Sequence, residues 1–370
     1  MRRLGGIAAL AMAAGLLLPA PAAAGGPGWL WQAEPLALAS AVFSILAAAA
    51  MASPLGRGAG APVLLIAGLL LGAVGPLRLI DSYPGIGLAL PGLWLYLAGL
   101  ALVAWCAMEI LARPAAHPRG VLGLAAPLLF GLWLLYLWEV LVTGFGVPQI
   151  LLPAPHQIGG RLASQAGLLW SDFQQTFLKS VLAGWSMGCG LGLLVAVMVD
   201  RVPFLQRGLL PLGNLVSAVP IVGIAPIMVM WFGFGWESKA AVIVVMTFFP
   251  MLVNVIAGFS QVDAMSRDLL RSYGAGYWQT FFKLRLPSAL PFIFNALKIN
   301  STLAMIGAIV AEFFGSPISG MGFRISVEVA RMNVDVVWAT IALAALAGSA
   351  FYGLLALIER RLTFWHPSYR

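Results

Sequence analysis

Few side chains in this sequence could do chemistry. His117, His156 and His366 fall between apolar runs, and none has a second histidine or a carboxylate at metal-site spacing, so no zinc centre is expected. Cys106 and Cys189 lie inside apolar runs without a paired neighbour, which reads as inert helix residues and says nothing about redox compartment. There is no Gly-x-x-x-x-Gly-Lys-Ser/Thr phosphate loop, so the chain is not expected to hydrolyse ATP. No Gly-x-Ser-x-Gly or Asp-x-x-Asp set occurs in a loop, which leaves a hydrolase or transferase as the weak rival. The remaining polar groups are isolated within apolar sequence: Asn214, Ser217, Asn254, Asn295, Asn300, Ser301 and Thr302. Such groups are costly in hydrocarbon, so they either bond neighbouring helices or line a polar path. Lys298 could attract an anion from a depth of about 15 Å, or reach back to the interface. Glu312 is expected near the outer end of its run, as a cap or gate, whereas sequence spacing names no neighbour for Glu109 and Glu139.

The elements that position these groups follow from composition. Of 370 residues, 61% are hydrophobic and 9% charged. Soluble domains carry about 25% charged residues, so a soluble enzyme is excluded, and disorder with it. The apolar runs are continuous rather than alternating, which selects spanning helices over a barrel. The net charge of +8 is read as anchoring of inner loops by basic residues, not as nucleic-acid binding.

About ten runs are expected, four early and six late. The early ones lie near 2–18, 36–53, 62–80 and 92–112. The late ones lie near 120–143, 176–199, 208–232, 239–260, 288–312 and 336–358. The first also has the grammar of a secretory signal, with Arg2-Arg3 before it and an Ala-rich exit ending at Ala24; the sequence does not separate the two readings. The basic stretch from Arg113 to Arg119 marks a boundary, giving 1–112 and 113–370 as two parts. Placing residues 261–287 inside puts Arg267, Arg271, Lys283 and Arg285 there, and alternation then puts Arg360, Arg361 and Arg370 inside too. Gly184, Gly188 and Gly192 form a small-residue stripe for close helix packing. Pro211, Pro220 and Pro226 break the third late run, which either kinks it or opens it towards a path.

The inner loop is the most informative stretch. A helical segment from Asp263 to Tyr273 should stop at Gly274, and a second from Tyr277 to Leu284 should end before Pro287, where a new helix begins. Tyr277, Trp278, Phe281 and Phe282 give this polar loop an aromatic surface, which either meets a protein partner or folds back on the membrane interface.

This loop resembles the EAA loop of permeases from bacterial ATP-binding-cassette importers: Glu-Ala-Ala, three residues, Gly, nine residues, Ile-x-Leu-Pro. Here Asp268-Leu269-Leu270 is followed after three residues by Gly274 and after nine more by Leu284-Arg285-Leu286-Pro287. Asp268 and Leu284 replace Glu and Ile, and two leucines replace two alanines. Leu151-Leu152-Pro153-Ala154-Pro155, Gly167-Leu168-Leu169-Trp170, Ala311-Glu312-Phe313, Gly320-Met321-Gly322 and the Trp365-His366-Pro367 ending resemble the nitrate/sulfonate/taurine branch.

The resemblance covers about residues 120–370 and implies an all-α polytopic membrane protein with a six-helix importer-permease core, preceded by about four additional N-terminal transmembrane helices. It also implies the function: a translocation path for a small anion or a nitrogen/sulfur-containing organic compound, coupled to ATP hydrolysis on other subunits. Asp268, Leu269, Leu270, Gly274, Tyr277, Trp278, Leu284, Leu286 and Pro287 are then the ATPase-coupling residues. Asn214, Ser217, Pro220, Asn254, Asn295, Lys298, Asn300, Ser301, Thr302 and Glu312 are the path candidates. The implied partners are an ATPase dimer carrying ATP and magnesium, a second permease copy, and a periplasmic or lipid-anchored binding protein. The implied location is the bacterial inner membrane, with the coupling loop and C-terminus cytoplasmic. A secondary transporter working without ATP is the alternative. Residues 1–112 lie outside the family core and carry few polar groups within their runs, so they are expected to pack peripherally. Trp29, Trp31, Trp94, Tyr96 and Trp105 there serve either as interface anchors or as a docking surface.

Overall fold

A computed structural model describes residues 2–18, 34–52, 61–82, 91–112, 125–202, 204–205, 208–209, 211, 220–315 and 318–365. Their regular structure is helical throughout: α1 (Arg2–Leu17), α2 (Pro35–Ala52), α3 (Ala61–Gly72), α4 (Val74–Ser82), α5 (Pro91–Leu111), α6 (Ala125–Gly144), α7 (Pro155–Ser164) and α8 (Ala166–Phe173). A π-helical stretch, Gln174–Val181, leads into α9 (Leu182–Arg201), followed by α10 (Ile221–Phe232), α11 (Trp236–Ser260), α12 (Ala264–Ser272) and α13 (Tyr277–Thr280). A second π-helical stretch, Phe281–Arg285, leads into α14 (Leu286–Phe314), then α15 (Met321–Ala330) and α16 (Val334–Leu362).

Apolar helices stand at all ten expected places, but seven of them, among the described residues, are long and apolar enough to cross a membrane. Arg3–Leu17, Pro35–Met51 and Ile221–Phe232 are shorter. In the last case the expected run began at 208, whereas α10 starts at Ile221, with Pro220 as its extended N-cap (ψ 126°) and residues 212–219 outside the described residues.

Residues Met1–Ile158 and Gly159–Arg370 form two compact units. In the first, small side chains (Ala8, Ala37, Ala41, Ala48) bring helices together around Met12, Leu65, Leu79 and Tyr96. The Tyr96 hydroxyl, fully buried, donates to the Gly72 carbonyl at 3.0 Å. Trp133 and Val140 place α6 in this core. Trp94 stacks on Phe145 at 4.9 Å, Trp105 is exposed, and Trp29 and Trp31 lie outside the described residues. Glu139 finds a partner that sequence did not offer: it accepts from the His156 backbone N–H at 3.0 Å and contacts its Nδ1 at 2.6 Å.

In the second unit α11 lies between α9 and α14. Gly184, Gly188 and Gly192 face α11, so the stripe is a packing device. A Cβ on Gly188 would lie 2.0 Å from Thr247 Oγ1 and 3.0 Å from the Val244 Cα, which is backbone and cannot yield. Gly190, two residues on and so on the opposite side of α9, has nothing within 4 Å. Gly188→Leu should therefore force α9 from α11 and lower the melting temperature of the solubilised chain, while Gly190→Leu should leave it unchanged. Thermal gel filtration of both variants is the check. Asn300 ties the same layer, donating to the Thr247 carbonyl at 2.9 Å and contacting Cys189 Sγ at 3.2 Å.

Candidate functional site

Residues 261–287 form a helix–turn–helix entrance to α14. Asp263 begins it by accepting the Ser266 N–H at 3.2 Å, one of the donors a helix start leaves unpaired. At the other end of α12, Ala275 N–H bonds the Leu270 carbonyl at 3.0 Å and Gly274 N–H bonds the Arg271 carbonyl at 2.9 Å. This paired closure needs a left-handed residue, and Gly274 supplies it with φ of 71°. The turn expected at Gly274 is there.

The second segment differs from expectation. It does not end before Pro287; α13 continues through the π-helical stretch into α14 without a break. The reason is local. Pro287 has no N–H and its ring crowds the carbonyl four residues back. The widened turn relieves this, with Leu286 N–H bonding the Phe281 carbonyl five residues earlier.

The loop has an inner and an outer face. Phe281 is buried against Phe259 at 5.5 Å, and Tyr277 is half-buried. Leu270, Leu284, Leu286 and Pro287 are half-buried as well, whereas Asp268, Leu269, Tyr273, Trp278 and Phe282 are exposed. The inner face is held by the end of α9, a contact the sequence reading missed. The Tyr277 hydroxyl donates to Asp200 Oδ2 at 2.9 Å, and Arg285 forms an ion pair with the same carboxylate. The Arg201 guanidinium lies 4.2 Å from the Tyr277 ring centre and 4.5 Å from that of Trp278. The one sequence signal was an adjacent Asp-Arg pair at the end of an apolar run.

Among the described residues, the path candidates do not gather into one surface. Asn214 and Ser217 lie outside the described residues. Pro220, Asn295 and Thr302 are exposed. Asn295 lines a cavity of about 620 Å³ with Gln261, Ser288, Phe292 and Trp365. Asn254 donates to the Pro250 carbonyl of its own helix at 2.8 Å. Lys298 is paired with Glu359 at 2.6 Å, across α14 and α16. Asn300 and Ser301 are buried, the latter bonding the Lys298 carbonyl at 2.7 Å.

Glu312 is buried and acts as a cap: it accepts the Gly322 N–H at 2.7 Å at the start of α15, and the Thr176 hydroxyl at 2.7 Å. Around it lies a buried polar cluster that sequence did not reveal. Asp172, with no exposed surface, accepts Arg324 Nε at 2.8 Å and the Gly320 N–H at 2.8 Å. Thr176 accepts the Met321 N–H at 2.7 Å. Lys239 is also buried and donates to the Phe234 carbonyl at 2.8 Å. Among the described residues, no group of three His, Cys, Asp or Glu side chains could hold a metal ion.

A family described as binding-protein-dependent transport system inner membrane component matches residues 188–364. The riboflavin transport system permease protein RibX of Chloroflexus aurantiacus is 30% identical over 237 residues, 64% of this chain and 88% of that protein. The formylaminopyrimidine transport permease protein ThiX of Halalkalibacterium halodurans is 32% identical over 239 residues, 65% of this chain and 95% of that protein. The taurine transport system permease protein TauC of Escherichia coli is 29% identical over 240 residues, 63% and 86% of the two chains.

Proposed function

Because the chain belongs to the binding-protein-dependent transport system inner membrane components, in their nitrate/sulfonate/taurine-like branch, we propose that its 261–287 loop couples an ATPase to the translocation path. The chain is the transmembrane permease subunit of an ATP-binding-cassette importer and has no enzymatic activity of its own. The observation that carries the coupling role is the Gly274 turn, set between Asp268 and Leu286-Pro287 and presenting Leu269, Trp278 and Phe282 outward. An exposed apolar patch on a polar loop fits a groove on a protein partner.

In this reading an ATPase dimer, carrying ATP and magnesium, seats the loop. A second copy of this chain completes the path, and a periplasmic or lipid-anchored binding protein delivers substrate. The membrane is the bacterial inner membrane, with the loop and the C-terminus on the cytoplasmic side. The substrate is a small anion or a nitrogen/sulfur-containing organic compound. Pro220, Asn295 and Thr302, being exposed, are the path candidates we assign to substrate; Asn214 and Ser217 keep that role on the sequence alone. Asn254, Lys298, Asn300, Ser301 and Glu312 bond neighbouring groups and shape the path from behind. Residues 113–370 supply this machinery, and residues 1–112 are additional transmembrane helices outside it.

Copurification under mild detergent tests the reading. An ATPase subunit should accompany the chain, and loaded binding protein should stimulate its hydrolysis; isolation of the chain without any ATPase would overturn it. Asp200 gives a finer test. Asp200→Ala leaves Tyr277 and Arg285 without their acceptor, a loss of about 1–3 kcal/mol in holding the loop. The ATPase should still copurify with normal basal hydrolysis, while substrate stimulation falls severalfold and Asp200→Glu restores part of it.

A further inference from the structure

The loop holds more positive charge than docking an apolar patch requires. Arg267 and Arg271, before the Gly274 turn, and Tyr277, Thr280 and Arg285, after it, line one cavity of about 310 Å³. Arg285 is neutralised by Asp200. Arg267 and Arg271 have no carboxylate partner among the described residues. The Nε of Arg267 is buried and has no hydrogen-bond partner, although its Nη2 donates to the Val262 carbonyl at 3.2 Å. A buried N–H without an acceptor is uncommon, and guanidinium groups sharing a cavity repel unless an anion lies between them. Guanidinium forks match the oxygens of a phosphate better than any other side chain does.

We propose that this cavity binds a phosphate-type oxyanion, which bridges the two arms of the loop across Gly274. Two sources share that chemistry: the headgroup phosphate of an anionic phospholipid and a free phosphate. Arg285 stands where the loop enters the long apolar helix that continues to Phe314, and basic pockets at the ends of such helices attract anionic lipids. Binding would stiffen the turn and so set how firmly the loop transmits motion; this consequence rests on the coupling reading, whereas the site itself does not.

The test uses the full-length chain, with hydrogen exchange of residues 264–280 as readout. The probes are inorganic phosphate in neutral detergent and nanodiscs of phosphatidylcholine with or without phosphatidylglycerol. Either anion should slow exchange in the wild type. Arg267→Gln/Arg271→Gln should weaken the response about tenfold or more, from about one kilocalorie per basic side chain at a membrane surface. Arg267→Lys/Arg271→Lys, which keeps the charge, should retain most of it and controls for misfolding. A response to phosphatidylglycerol alone supports the lipid source; an equal response to phosphate in detergent supports a free anion. If neither anion slows exchange, or if the Gln variant responds like the wild type, the proposal is overturned. It is also overturned if only added ATPase protects the loop, since the arginines would then belong to that docking surface. A chain that binds anion yet never copurifies with an ATPase would keep the site and sink the coupling reading instead.

Discussion

Gly274→Val should insert into the membrane normally and lose transport together with substrate-stimulated ATP hydrolysis. The residue has φ of 71°, a region that costs an L-amino acid about 1–2 kcal/mol, and more when it is β-branched. The effect is not a clash, because a Cβ at this position would meet nothing within 4 Å. What changes is the backbone. A valine would pull the turn towards negative φ and break the two bonds, Ala275 to Leu270 and Gly274 to Arg271, that end α12. The outer face carrying Leu269 would then rotate away from that carrying Trp278 and Phe282. A loss of about 1.4 kcal/mol already shifts an equilibrium tenfold, so a drop in coupled hydrolysis of about tenfold or more is expected. Gly274→Asn separates conformation from size, since asparagine tolerates the left-handed region, and it should retain most activity. Hydrolysis by the assembled importer, with and without loaded binding protein, is the measurement. Wild-type transport by the Val variant would remove Gly274 as the pivot.

That turn was legible because everything that makes it is local. Asp263, Gly274 and Pro287 are caps and breakers whose meaning depends on their immediate neighbours. The same local reading failed at Pro287 itself: proline announces a helix start, and only the widened turn before it lets one helix run on. The glycine stripe of α9 was legible through its four-residue spacing, although its partner α11 was not named by it. Apolar length gave the places of the helices; among the described residues, those near 3–17, 35–51 and 221–232 are shorter than a span. The polar pairings were out of reach. Tyr277 and Arg285 meet Asp200 from 77 and 85 residues away, and Lys298 meets Glu359 across 61. Within a helix a charge shows its neighbours at three and four positions; across helices the partner is set by packing, which no spacing encodes. So Lys298, readable as an anion attractor or an interface lysine, is also half of an ion pair that spacing did not announce.

Another pairing between distant residues carries the largest expected effect on stability. Asp172 and Arg324 are 152 residues apart, and Asp172 is wholly buried. Asp172→Ala removes the acceptor of Arg324 Nε and of the Gly320 N–H together. The guanidinium, only 10% exposed, would keep Glu328 at 3.7 Å as its remaining carboxylate. Removing one partner of a buried pair costs about 3–5 kcal/mol, because the other charge stays behind uncompensated. That approaches the whole stability of many domains, so the variant should reach the membrane in much lower amounts and melt well below the wild type. The cause can be isolated by removing the stranded charge. Asp172→Ala/Arg324→Met removes both halves of the pair, while Glu328 keeps Arg331 at 3.2 Å and Asn333 at 2.7 Å; it should recover part of the loss, since replacing both partners of such a pair by apolar groups is often near neutral. Asp172→Asn keeps an acceptor for Gly320 and should fall between the wild type and the Ala variant. Melting followed by fluorescence-detected gel filtration ranks the four chains. An Ala variant as stable as the wild type would show that the pair does not hold α15. A double variant no better than Asp172→Ala would place the cost in the lost Gly320 bond and the space left by the side chain, not in the unpaired arginine.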